Sequence, residues 1–138
     1  MDYTNMFNKE ALEFLTKMIK SFPEIQKLVD YKIKYERTLL FDKKAPMKLF
    51  MQNLEPYGIQ IMSKNEIFFK NNEYVNNAEN ISGHLGLVEI WDSIEPVTKN
   101  AIWGYIQNLY CIGMKILGKE NELKQIIVGI NNDINNGE

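Results

Sequence analysis

The stretch from Thr98 to Leu117 is apolar around well over half the circumference of any helix it forms. Ile102, Ile106, Leu109, Gly113 and Ile116 recur at a four-three-four-three spacing, and Trp103, Tyr110 and Leu117 make a second stripe beside them. Two adjacent stripes leave only a narrow polar edge, so such a helix is stable in water only when other elements cover it. The stretch therefore predicts an all-α protein, a compact bundle of five to seven helices around a central hydrophobic helix at residues 98–117. Thr98 is the expected N-cap and Gly118 the C-terminal stop. Trp91, Ile102, Trp103, Ile106, Leu109 and Tyr110 are the expected structural core.

The same stretch does not read as a membrane span. Gln107, Asn108 and Lys115 interrupt it, and no apolar run in the chain approaches the roughly 18 residues a span requires. A chain of 138 residues buries roughly two-thirds of the surface its unfolded form exposes, enough for one core without a metal or disulfide. Residues 1–130 are expected to form a single helical domain, with 131–138 a frayed polar tail. The one cysteine, Cys111, has no partner for an internal disulfide, which fits a reducing compartment. Met1-Asp2-Tyr3-Thr4-Asn5 lacks the basic and apolar regions of a secretory signal, so secretion is not expected.

The elements around the central helix follow from spacing and turn chemistry. Phe7, Leu12, Leu15, Ile19 and Phe22 form one stripe and predict a helix over 9–21, with Asn8 as N-cap. Ser21-Phe22-Pro23-Glu24 has the S-x-x-E form of a capping box and predicts the start of a second helix ending near Phe41. Its apolar face would hold Ile25, Leu28, Val29, Ile33, Tyr35 and Leu39-Leu40. Pro46 makes 42–46 a hinge and opens a third helix to Leu54, with Met47, Phe50, Met51 and Leu54 inward. A break at Glu55-Pro56 precedes a fourth helical segment interrupted around 63–65, although Gly58 and the alternation in Ile59-Gln60-Ile61 also fit a strand. Residues 70–83 are a polar, asparagine-rich loop. Leu87, Val88, Trp91 and Ile94 continue the helical pattern, and Glu120 to Ile130 gives a last helix with Leu123, Ile126, Ile127 and Ile130 on one face.

Few side chains suggest catalysis. His84 is the only histidine and has no Cys or second His near it, so it reads as a partner for a helix end. Cys111 reads as a small buried hydrophobe. Glu89, Asp92 and Glu95, spaced by three, place carboxylates within a turn of one another on one predicted helix and read as a solvated acidic face. The glycines match no phosphate-binding loop. The sequence therefore offers no catalytic residue, no cofactor site and no metal site. An enzyme would require convergent titratable groups in a pocket, such as His84 beside Glu89 or Asp92.

Charge is more informative. The chain carries fifteen lysines and one arginine, with abundant Asn and Ile, a skew expected of AT-rich coding. Residues 1–54 carry a net +3 and residues 55–138 a net −5. Lys27, Lys32, Lys34, Arg37, Lys43, Lys44 and Lys48, interleaved with Tyr31 and Tyr35, are the candidate contacts for nucleic acid or an acidic partner. Asp30, Glu36 and Asp42 dilute that run, and the near absence of arginine argues against bidentate phosphate or guanine recognition.

Three motifs occur in order: Phe22-Pro23-Glu24; then Tyr57, Ile61 and Phe68-Phe69; then Ile102-Trp103-Gly104-Tyr105-Ile106-Gln107-Asn108-Leu109. In that order they resemble small helical proteins of nucleocytoplasmic large DNA viruses, in which F-P-E, Y-x-x-x-I plus F-F, and I-W-x-Y-x-Q-x-L elements recur. Gly104 departs from that pattern, where Lys or Arg is commoner. The resemblance implies a viral context, in the cytoplasmic factory of an infected cell or in the virion, and transfers no catalytic residue. The expectation is a non-enzymatic interaction, adaptor or assembly protein acting through a protein-binding surface. The alternative is a nucleic-acid-associated factor in transcription or genome packaging that uses the basic face of residues 27–48. A homo-oligomer through the last helix is compatible with either.

Overall fold

A computed structural model describes residues 2–66, 86, 87 and 90–136, with side chains placed to residue 132. Among these residues the protein is all-helical. The elements are α1 (Tyr3–Ser21), α2 (Gln26–Phe41), α3 (Ala45–Leu54), a 3₁₀ turn (Glu55–Tyr57), the short α4 (Gly58–Met62), a second 3₁₀ turn (Trp91–Ser93), α5 (Pro96–Ile116) and α6 (Glu120–Asn136).

The stretch predicted to be central is α5. It packs most extensively on α1 and also meets α3, α4 and α6. Trp91, Ile102, Trp103, Ile106, Leu109 and Tyr110 are all buried, together with Phe7, Phe14 and Leu15 of α1 and Met47, Phe50, Met51 and Leu54 of α3. The polar edge left by the two stripes is real and narrow: Ala101, Gly104, Asn108 and Lys115 are exposed along one line of α5. Aromatic rings set the contacts between elements. Phe14 of α1 stacks on Tyr105 at 5.1 Å, Phe7 meets Phe50 edge-on at 5.3 Å, and Trp91 meets Trp103 edge-on at 6.1 Å.

Helix termini depart from the sequence reading more than helix bodies do. α1 starts at Tyr3, capped by the Asp2 carboxylate, which accepts the Asn5 N–H at 3.0 Å. Asn8, the expected cap, is instead buried inside the helix. Ser21 is not the cap of α2, because α1 runs through it and the Phe22 N–H donates to the Met18 carbonyl. Ser21 is itself helical, the last residue of α1, and so lacks the extended geometry an N-cap needs; α2 begins at Gln26 without a side-chain cap. Thr98 likewise lies inside α5. Pro96 fixes the first turn two residues earlier, after an extended Glu95.

At the other end of α5 the expectation holds. Gly118 has φ of +72°, its N–H donates to the Lys115 carbonyl, and Lys119 N–H donates to Met114 O, which together form a Schellman ending. Gly58 to Met62 is helical and not a strand. Five residues make a weak helix in isolation, and α5 supports this one: the Gln107 amide donates to the Ile61 and Met62 carbonyls, and Tyr110 O–H donates to Glu55 O at 2.9 Å. Lys119 pairs with the Glu55 carboxylate beside them. α6 continues to Asn136, six residues beyond Ile130, so the helix includes most of the segment read as a tail.

Two residues assigned to the apolar face of α2 point the other way. Leu28 and Tyr35 are buried, whereas Leu40 is 82% exposed and Ile33 is also exposed. Leu39 and Leu40 are adjacent, and a helix turns by about 100° per residue, so both cannot face one core.

Candidate functional site

A cleft of about 480 Å³, open along one side, lies between α2 and α3. The two helices meet here because Asp42, Lys43 and Lys44 turn the chain sharply: the Asp42 carboxylate accepts the Lys44 N–H at 2.9 Å, and Pro46 sits in the first turn of α3. Tyr31, Tyr35, Pro46, Phe50 and Leu54 supply its apolar wall, while Lys34, Thr38, Asp42, Lys48, Gln52 and Asn53 supply polar groups.

Its two tyrosines are neutral across the physiological range. Burial pushes the Tyr31 phenol up to about 12, and burial with a smaller contribution from Tyr31 pushes Tyr35 higher still. They present ring surface and hydroxyl groups, without charge. Tyr35 O–H donates to Asn8 Oδ1 at 2.6 Å, and Asn8 Nδ2 donates to the Lys43 carbonyl at 3.0 Å. The back of the cleft is therefore tied to α1 and to the turn that shapes its end.

The seven basic candidates do not form one patch. Lys34 and Lys48 come together at the cleft. Arg37 lies on the outward face of α2 with Ile33 and Phe41. Lys43 and Lys44 occupy the exposed turn. Lys32 lies on the flank toward α1, 3.8 Å from the Glu36 carboxylate and near Glu13 and Lys17. Lys27 is exposed at the start of α2, with its aliphatic stem beside Gly86. On α2, Lys32 faces the α1 flank while Lys34 and Arg37 line one groove, and Lys43, Lys44 and Lys48 follow in the turn and in α3.

The remaining candidates do not assemble into a second site. His84 and Glu89 fall outside the described residues. Asp92 lies in a 3₁₀ turn and Glu95 is extended before α5, so these two carboxylates do not share the helix the spacing suggested. No cluster of three or more His, Cys, Asp or Glu suited to a metal occurs among the described residues. Cys111 is half-buried, and desolvation, opposed in part by Lys115, raises its thiol, which keeps it protonated and a weak nucleophile.

Sequence reasoning missed the Leu40–Phe41 pair, which is 82% and 88% exposed at the end of α2. The signal was available: on a helix, Ile33, Arg37, Leu40 and Phe41 share one face, opposite Leu28 and Tyr35. No helix among the described residues is long and apolar enough to cross a membrane. Comparison with protein-family models, with curated proteins and with solved structures yields no match, and the site is therefore read from its own geometry.

Proposed function

We propose that the protein is a non-enzymatic interaction protein, an adaptor or assembly component, that holds a segment of a partner protein in the α2–α3 cleft. The observation that carries this reading is the cleft itself. An apolar wall of neutral aromatic rings with Lys34 and Lys48 at its edge suits an apolar side chain flanked by an acidic one. The tyrosines add large contact area at a small cost in conformational freedom, as recurs in recognition surfaces. In the context implied by the resemblance to proteins of large DNA viruses, the partner is a viral or host protein, met in the infected-cell cytoplasm or the virion.

Site-specific photo-crosslinking tests the reading. A crosslinking residue at Leu49, which lines the cleft, should capture a discrete partner from infected-cell extract, and Lys34→Glu should abolish the capture. The same residue at the exposed Ile59 of α4 should not capture that partner. Equal capture at both positions, or none at Leu49, removes the proposal. Filter binding addresses the nucleic-acid alternative: retention of DNA or RNA at low salt, lost steeply as salt rises and lost in the triple variant Lys32→Glu, Lys34→Glu, Arg37→Glu, would replace a protein partner with a nucleic acid.

A further inference from the structure

We infer that the outward end of α2 and the turn after it form a docking surface for an anionic lipid membrane, with Leu40 and Phe41 entering the headgroup region. This inference is separate from the cleft reading, since Leu40 and Phe41 point away from the protein and, of the cations around them, only Lys48 also edges the cleft. Leu40 and Phe41 are 82% and 88% exposed, the two most exposed large apolar side chains of the described chain. They are consecutive, and Ile33, also exposed, extends their face two turns back along α2. Isolated exposed apolar residues are common, but an adjacent pair of this size at a helix end has a cost in water that a partner must relieve.

Charge identifies the partner. Arg37 shares the apolar face, and Lys43, Lys44 and Lys48 follow within the next seven residues, all exposed. Acidic groups on this face and turn are Asp30, which accepts from the Gln26 amide, Glu36, one turn before Leu40 and 3.8 Å from Lys32 Nζ, and Asp42, whose carboxylate is engaged by the Lys44 N–H. Cations therefore outnumber anions around the pair, and the complementary surface is negative.

Lipid suits this surface better than a protein does, for two reasons. Leu40 and Phe41 project from the surface, whereas a protein partner needs a recess to enclose such side chains, and lysine is depleted from the dry centre of protein interfaces. A membrane accepts apolar tips below its headgroups while leaving ammonium groups at headgroup level beside anionic lipids. Lysine also serves such a diffuse negative surface as well as arginine does, because attraction there needs charge and not a planar fork.

Vesicle co-sedimentation of the full chain at low salt tests the inference, using phosphatidylcholine vesicles and vesicles of equal parts phosphatidylcholine and phosphatidylserine. The protein should pellet with the anionic vesicles only, and raising the salt should release it. The double variants Leu40→Ser/Phe41→Ser and Lys43→Glu/Lys44→Glu should each weaken partitioning on the order of tenfold or more. Ile59→Ser, an exposed apolar change on α4, should leave partitioning unchanged. All of these positions are exposed, and unchanged circular dichroism confirms that the variants fold. Phe41→Trp supplies a second readout: its emission should shift to the blue when anionic vesicles are added. Absence of sedimentation with anionic vesicles overturns the inference, as does binding indifferent to both double variants. Binding without a blue shift at position 41 overturns the insertion of Leu40 and Phe41. Capture of a protein at position 41, with no vesicle binding, would assign the surface to a protein instead.

Discussion

Tyr35 O–H donates to Asn8 Oδ1 at 2.6 Å, and Asn8 Nδ2 donates in turn to the carbonyl of Lys43. One buried amide thus joins α1, α2 and the turn that leads into α3. Asn8 is the only polar residue buried among the described residues, and its position makes the shape of the α2–α3 cleft depend on α1. Removing the phenolic hydroxyl leaves an amide oxygen buried without this donor, which costs about 1–3 kcal/mol. Tyr35→Phe should lower the urea midpoint accordingly with an unchanged m-value. Asn8→Ala should do the same, and the double variant should cost less than the sum of the two. Strict additivity would show that the pair does not act as a unit.

Alkaline pH should destabilise the protein through its tyrosines. Burial pushes Tyr31 and Tyr110 up to about 12, with Glu55 adding to the effect at Tyr110, and Tyr35 is pushed higher. An unfolded phenol ionises near pH 10. Below that value both states hold the proton and the contribution to stability is fully present. Above it the unfolded chain binds fewer protons than the folded one, so stability falls as pH rises. Urea midpoints should be flat through neutral pH and fall from about pH 10 toward 12. Phenolate absorbance should show a late-ionising group of tyrosines that disappears in denaturant. A native titration in which every tyrosine ionises together near pH 10 would contradict the burial of these three.

Two glycines of α5 should respond in opposite directions to the same change. A Cβ at Gly113 would press into Met51, reaching its Cγ at 2.7 Å, so α3 approaches α5 closely at this point. Gly113→Ala should destabilise by about 1–3 kcal/mol unless Met51 repacks. Gly104 faces open space, and Gly104→Ala should stabilise by about 0.5–1 kcal/mol because alanine loses less backbone freedom in a helix interior. Thermal midpoints of the two variants should bracket that of the parent. Equal shifts would mean that α3 does not abut Gly113.

The central helix was legible because its evidence is redundant: two parallel stripes from Ile102 to Leu117 agree on one element, and no other element can bury so much of a helix surface. Third-helix residues Met47 to Leu54 were legible for the same reason. The caps were not. Asn8, Ser21 and Thr98 all have cap chemistry, yet each lies within a helix whose boundary is fixed by a neighbour, Asp2, Phe22 or Pro96. A cap contributes on the order of 1 kcal/mol, which tertiary packing readily overrides. The cleft was invisible because neither α2 nor α3 contains it alone. Tyr31 and Phe50 become one wall only when the turn at 42–44 folds the helices together. The exposed Leu40–Phe41 pair was partly legible, since three consecutive apolar residues on a helix cannot all face inward, and Leu40 and Phe41 are each turned well away from Leu28.

Trp91 anchors the segment that precedes α5, and its truncation should be among the most damaging at the described residues. The side chain is fully buried, meets Trp103 edge-on, donates its indole N–H to the Glu66 carboxylate at 3.2 Å, and lies 5.2 Å from Lys99 Nζ over its ring. Lys99 also pairs with Glu66 at 3.2 Å, so the residues on either side of the long 67–85 stretch converge on one indole. Truncation to alanine removes one of the two buried indoles and leaves a cavity beside Trp103, at a cost of about 3–5 kcal/mol. Set against a total stability of about 5–15 kcal/mol, that loss consumes a large share of what holds the domain folded. Trp91→Phe keeps most of the volume and forfeits the indole hydrogen bond, so it should cost clearly less. Because both tryptophans are buried, native emission should be blue-shifted relative to the denatured chain. The Trp91→Phe protein should retain that blue emission from Trp103, and Trp91→Ala should move it toward the red. A Trp91→Ala protein as stable as the parent, with unshifted emission, would show that the indole does not hold the 3₁₀ turn at Trp91–Ser93 against α5.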